Sequence, residues 1–142
     1  MPANRTTPSG LEYGPTARGK MYLSVYKHRG DGSRRHKNCW SADISPDMEY
    51  GIFCSSDDNN WHDEELNYWG VLDLGRAILG EKGERICKFP CTSNEQDPWH
   101  GYPASPRDKG ASDTPPDLLI QTWISRNIVT KEIGRKIQKL KI

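Results

Sequence analysis

Residues 114–142 carry start and stop signals for two consecutive helices, and that pair limits the possible folds more than any other stretch. In T-P-P-D, Thr114 is placed to cap a helix and Pro115 takes the first helical position, where a missing N–H costs nothing. Asp117 stands where a capping box has its acid. Leu118, Leu119, Ile120, Trp123 and Ile124 then give a broad apolar face, with the expected end near Arg126. Asn127 suits the left-handed terminating conformation, which folds Ile128 back on Trp123. Thr130 is the expected cap of a second helix, whose Val129, Ile133, Ile137 and Leu140 form a stripe opposite Lys131, Arg135, Lys136 and Lys139.

The region upstream has the two-residue period of strands. K-M-Y-L-S-V-Y-K places Met21, Leu23 and Val25 on one face and Tyr22 and Tyr26 on the other. The turn R-G-D-G-S-R leads to a return strand, N-C-W-S-A-D-I-S, with Trp40, Ala42 and Ile44 on one face. E-Y-G-I-F-C-S after Pro46 reads as a third strand. The acidic opening of D-E-E-L-N-Y-W-G-V-L-D-L-G suits a short helical turn, followed by a strand. E-R-I-C-K-F-P is a last strand, ending at Pro90. The expected class is α+β: a small, mostly antiparallel sheet over residues 20–90 and a C-terminal two-helix hairpin over residues 114–142. Residues 91–113 read as loop and linker. Residues 1–19, rich in Pro, Gly, Thr and Ser, read as a flexible N-terminal arm.

Within the loop, D-P-W-H-G-Y-P (97–103) sets Trp99, His100 and Tyr102 between two prolines. Each proline fixes its own φ and biases its predecessor to extended geometry, while Gly101 lets the chain turn or pass close to a neighbour. This stiff segment is expected to wedge between the strands and the terminal helices.

The 142 residues suffice for one domain, and five Trp and six Tyr supply burial that a 34% hydrophobic content otherwise lacks. The start, MPANRTTPSG, has no apolar signal region, and no apolar run nears the roughly 18 residues that span a bilayer. A soluble, cytoplasmic protein is the resulting expectation, with no membrane partner. In that compartment Cys39, Cys54, Cys87 and Cys91 are free thiols or metal ligands in preference to disulfides. The net charge of +1 hides a segregation. Nine acids and no Lys or Arg lie between Asn38 and Gly75, whereas the last twelve residues carry five basic side chains and one Glu. Steering by total charge is excluded; attraction by local patches is not.

Several constellations can carry chemistry. His36 and Cys39, with Cys87 and Cys91, make two ligand pairs that neighbouring strands can assemble into a tetrahedral zinc site, although neither pair has C-x2-C spacing. Burial as small hydrophobes is the alternative for the cysteines. His100, with Asp97 to orient its imidazole and His62 as a partner, is the candidate general base of a small hydrolase or nuclease, metal-assisted or not. The acids Asp57, Asp58, Asp63, Glu64 and Glu65 lack the spacing of a calcium loop and read as a solvated edge. No GxxxxGK[ST], GxGxxG or GxSxG occurs, which removes the commonest phosphate-cradle and nucleophile-elbow readings. The terminal helix pair has the dimensions of a helix-turn-helix, and its basic face can neutralise phosphates. The favoured expectation is a non-catalytic protein contacting DNA or RNA through Lys131, Arg135, Lys136 and Lys139 and through Arg34, Arg35 and Lys37, with Tyr22 and Tyr26 near for stacking. An adaptor for an acidic protein partner is a further alternative.

Overall fold

In the computed structural model, which describes residues 3–29, 38–94 and 97–142, the α+β expectation holds, with two small sheets in place of one. Strands β1 (Arg5–Thr6), β2 (Gly10–Tyr13) and β3 (Tyr22–Val25) form one antiparallel sheet in that order. Strands β4 (Tyr68–Gly70), β5 (Ile86–Phe89) and β6 (Tyr102–Ala104) form the other. The helices are α1 (Pro46–Asp58), α2 (Pro106–Lys109), α3 (Asp117–Ser125) and α4 (Lys131–Gln138).

The second sheet is the middle layer. Along β5, Cys87 and Phe89 join a core with Tyr13, Tyr22, Ile52, Phe53 and Trp99, while Ile86 joins a second core with Ile120, Trp123, Val129 and Ile137. The two-residue period thus sends alternate side chains to α1 on one side and to α3 and α4 on the other. β4 divides likewise, Tyr68 into the first core and Trp69 into the second. Gly70 permits the close approach of α1, since a Cβ there would lie 2.5 Å from Ile52 Cγ2.

Three expectations are corrected. E-Y-G-I-F-C-S is not a strand but the body of α1: Ser45 accepts from the Met48 amide at 3.2 Å and Pro46 opens the helix. Its buried face includes Glu49, Ser56 and Asp57 beside Tyr50, Ile52 and Phe53, so polar residues occupy positions where an apolar pattern would announce a helix. The return strand over residues 38–45 is reduced to a bridge between Trp40 and Gly80, because β3 takes β2 as its neighbour. Residues 3–19 are not a loose arm. Gly10–Tyr13 pair with Tyr22–Val25, and the segment is fastened to α1 by polar bonds: Tyr13 Oη to Asp47 at 2.5 Å, Thr16 Oγ1 and Lys20 Nζ each 2.7 Å from Asp57 carboxylate oxygens. The buried face of β3 is accordingly the one carrying Tyr22 and Ser24.

The terminal helical hairpin is present. Asn127 has φ of 60°, the Ile128 amide donates to the Trp123 carbonyl at 2.8 Å, and Thr130 Oγ1 accepts from Ile133 at 3.1 Å. The start of α3 differs: Pro116 is its cap, and Thr114 instead donates to the Gly110 carbonyl at 2.7 Å. The expected linker holds β6 and α2. Trp99 of the stiff loop forms a parallel bridge with Tyr22, and Tyr102 packs against the second core. Gly101 lies so near the Phe89 ring that a Cβ would meet Cδ1 at 2.3 Å. The wedge therefore joins the two sheets as well as reaching the helical layer. Among the described residues no helix is long and apolar enough to cross a membrane.

Candidate anion-binding cavity

The first residue of β6's following turn, the start of α4 and two loops of the middle sheet meet around a cavity of about 730 Å³. Thr130, the cap of α4, donates its amide to the Leu74 carbonyl at 3.1 Å and so pins the helix start to the turn at Asp73–Gly75, which ends in Arg76. The tight turn from Gly80 to Glu84 adds Lys82, and Arg85 leads out of it into β5. α2 adds Arg107, whose amide donates to the Ile142 carbonyl at 3.0 Å and draws Lys141 to the rim. Lys136 comes from α4.

Six cationic side chains from separate parts of the chain, Arg76, Lys82, Arg85, Arg107, Lys136 and Lys141, thus line one concavity. Two carboxylates among the lining residues oppose them, Glu84 and Glu132. Lys136 lies 3.4 Å from Glu132, and Arg107 lies 3.5 Å from the neighbouring Asp108. These are exposed pairs of small worth, readily exchanged for a ligand's oxygens. The Arg85 guanidinium donates to the Arg76 carbonyl at 3.1 Å, which holds both arginines on the same wall. Glu84 is buried, and burial raises its carboxyl above the ordinary range.

The residues singled out from sequence fall in different places. Lys136 lines the cavity; Lys131 and Arg135 of α4 and Lys139, which caps its end, are exposed, follow one another at four-residue intervals and are not among the lining residues. Arg34, Arg35, Lys37 and His36 lie outside the described residues. Tyr26 is exposed, but Tyr22 is fully buried with its hydroxyl donating to Glu49, so it has no face for a base.

Of the zinc ligands, Cys87 is sealed in the first core and burial pushes its thiol up, Cys39 is buried beside the Lys27 carbonyl, and Cys91 is exposed. Among the described residues no three His, Cys, Asp or Glu side chains gather around a point where a metal ion would sit. Of the acids near His62, Asp63 is engaged locally, accepting from the Glu65 and Asn67 amides and from Trp69 Nε1.

No hydrogen bond, ion pair or ring contact joins His100, His62 and Asp97. His100 is half-buried with its ring stacked 6.3 Å from His28, and burial followed by the charge of Lys27 lowers its pKa. His62 sits edge-on to Tyr68 at 5.2 Å, with Nδ1 2.9 Å from the Asp63 carbonyl, on the wall of a separate cleft. The Asp97 amide donates to Asn94 Oδ1 at 2.9 Å.

Sequence reasoning missed Arg76, Lys82, Arg85, Arg107 and Lys141 as a group because they are scattered along the chain from position 76 to position 141. The available signal was the return of basic residues at Arg76, where the cation-free acidic stretch ends. Comparison of the chain with protein-family models, with curated proteins and with solved structures finds no match.

Proposed function

We propose that the protein is a non-catalytic nucleic-acid-binding module whose contact surface is the cationic cavity and the adjoining row of α4. The observation that carries this reading is the convergence of Arg76, Lys82, Arg85, Arg107, Lys136 and Lys141 on one concavity. Like charges so gathered repel one another, a cost that a polyanion offsets by releasing its condensed counterions. Lys131, Arg135 and Lys139 extend the same charge along α4, so a phosphate backbone leaving the cavity has a path to follow. Arginine suits the inner wall, where its planar fork can hold two phosphate oxygens at once.

The test is binding of a labelled single strand and a labelled duplex across a salt series. The expected result is affinity that falls linearly with log salt, by about 0.7–0.9 decade per decade for each phosphate contacted. Reversing Arg85 and Lys136 together to Glu should weaken binding about tenfold or more and flatten that slope. Absent or salt-independent binding defeats the reading. Equal competition by an acidic polypeptide of matched charge would instead assign the face to an acidic protein partner.

A further inference from the structure

The basic cavity contains a carboxyl that none of its cations neutralises. Glu84 is 4% exposed; its Oε1 accepts from the Lys82 amide at 2.9 Å, and its Oε2 is buried without a hydrogen-bond partner. The ion pairs of the cavity wall are made by Glu132 and Asp108 instead. A buried oxygen without a partner has lost its hydration without replacement, which favours a ligand that completes its bonding.

The concavity limits what that ligand can be. A volume of about 730 Å³ lies within the range of small-molecule sites and suits one nucleotide better than the convex side of a duplex. A phosphate monoester has three terminal oxygens where a backbone diester has two, so it can meet several cations and still accept from one more donor. The start of α4 adds to the attraction, because Thr130, Glu132 and Ile133 bring the positive end of that helix to the cavity wall.

Resting on the reading of this face as a nucleic-acid contact, we propose that the cavity takes a phosphate monoester, at the end of a strand or on a free nucleotide, held by the converging cations with the Glu84 carboxyl completing its bonding to it. An ionised Glu84 would repel such a group, whereas the protonated form supplies an O–H. Burial, and less so the negative charge of Asp108, raises the Glu84 pKa, while the Glu84 and Lys82 amides and the charge of Lys82 act in the opposite sense. The soft terminal torsion of the side chain lets the carboxyl turn its hydroxyl toward the cavity.

The experiment compares one single-stranded oligonucleotide with a 5′-phosphate, a 3′-phosphate or neither end phosphorylated, and adds a nucleoside monophosphate and its parent nucleoside as competitors. The expected result is about tenfold or more tighter binding of a phosphorylated strand. Competition by the monophosphate but not by the nucleoside, even where strand ends are not distinguished, assigns the site to free nucleotides. Glu84→Gln, which keeps the shape and supplies an N–H donor, should retain the preference. Glu84→Leu should lose it, and the competition on the native protein gives the same information should Leu impair folding. Equal affinity for all strands with no monophosphate competition overturns the inference; if binding still falls steeply with salt, the broader nucleic-acid reading stands. Absence of any salt-sensitive binding removes both.

Discussion

Tyr22 and Trp99 are paired in a parallel bridge: the Trp99 amide donates to the Met21 carbonyl at 2.8 Å and the Leu23 amide donates to the Trp99 carbonyl at 2.7 Å. This bridge connects the N-terminal sheet to the loop that enters β6 of the middle sheet. The Trp99 ring packs 5.7 Å from Phe53 of α1 and 5.3 Å from Tyr68 of β4, so one residue touches both sheets and the helix between them.

Trp99→Ala should therefore cost about 3–5 kcal/mol, the range for removing a large buried aromatic. Urea unfolding followed by fluorescence checks it. A loss below about 1 kcal/mol would mean that the junction closes around the gap.

Glu49 of α1 is fully buried, 2.5 Å from Arg29 Nη2, and also accepts from Tyr22 and from Ser24 at 2.7 Å. Arg29 Nε is itself buried without a partner and Nη1 donates to the Ile44 carbonyl, so Glu49 is the carboxylate that balances the guanidinium's charge. Glu49→Ala should destabilise by about 3–5 kcal/mol, mostly through the uncompensated charge left behind. The denaturant midpoint of the variant measures this, and Arg29→Met in the same background should restore part of the loss.

Asn127 closes α3 with φ of 60°, a conformation that glycine adopts freely and β-carbon-bearing residues resist. Asn127→Ala should cost about 1 kcal/mol, while Asn127→Gly should be neutral or slightly stabilising. Thermal midpoints of the two variants decide; equal midpoints would show that the turn carries no such strain.

Glu84 gives a pH dependence with a definite sign. Burial raises its folded pKa, so the native state binds the proton more tightly than the unfolded chain does. Its contribution is complete below the unfolded value of about 4.3 and is lost as pH rises through the raised folded value. The melting temperature of the native protein minus that of Glu84→Gln should accordingly decline as pH rises above about 4. A difference that is flat or grows with pH would place a charged carboxylate in the cavity wall.

How much was legible follows from where the information lay. The helical hairpin was readable because Thr130, Asn127 and the apolar stripe act within one or two turns of chain. β5 was readable from its alternation and its bounding proline. α1 was not, since its core-facing row includes Glu49 and Asp57, whose partners come from residues 16–29, and Ser56, whose hydroxyl donates to the Ile52 and Trp69 carbonyls. The cavity was legible only through Lys136, because its other cations are each unremarkable in their own stretch.

The sequence by itself determined the C-terminal helix pair, the stiff Trp99 loop and the segregation of charge, all of which depend on contacts between near neighbours. Tertiary structure alone decided where that charge comes to lie. It sets Lys20 against Asp57 and Arg29 against Glu49 across the first core, which uses the acidic stretch internally. It also gathers the cations from Arg76 to Lys141 on the opposite side without comparable partners. Coulomb energy depends on distance in space, and chain order fixes that distance only after the strands have paired.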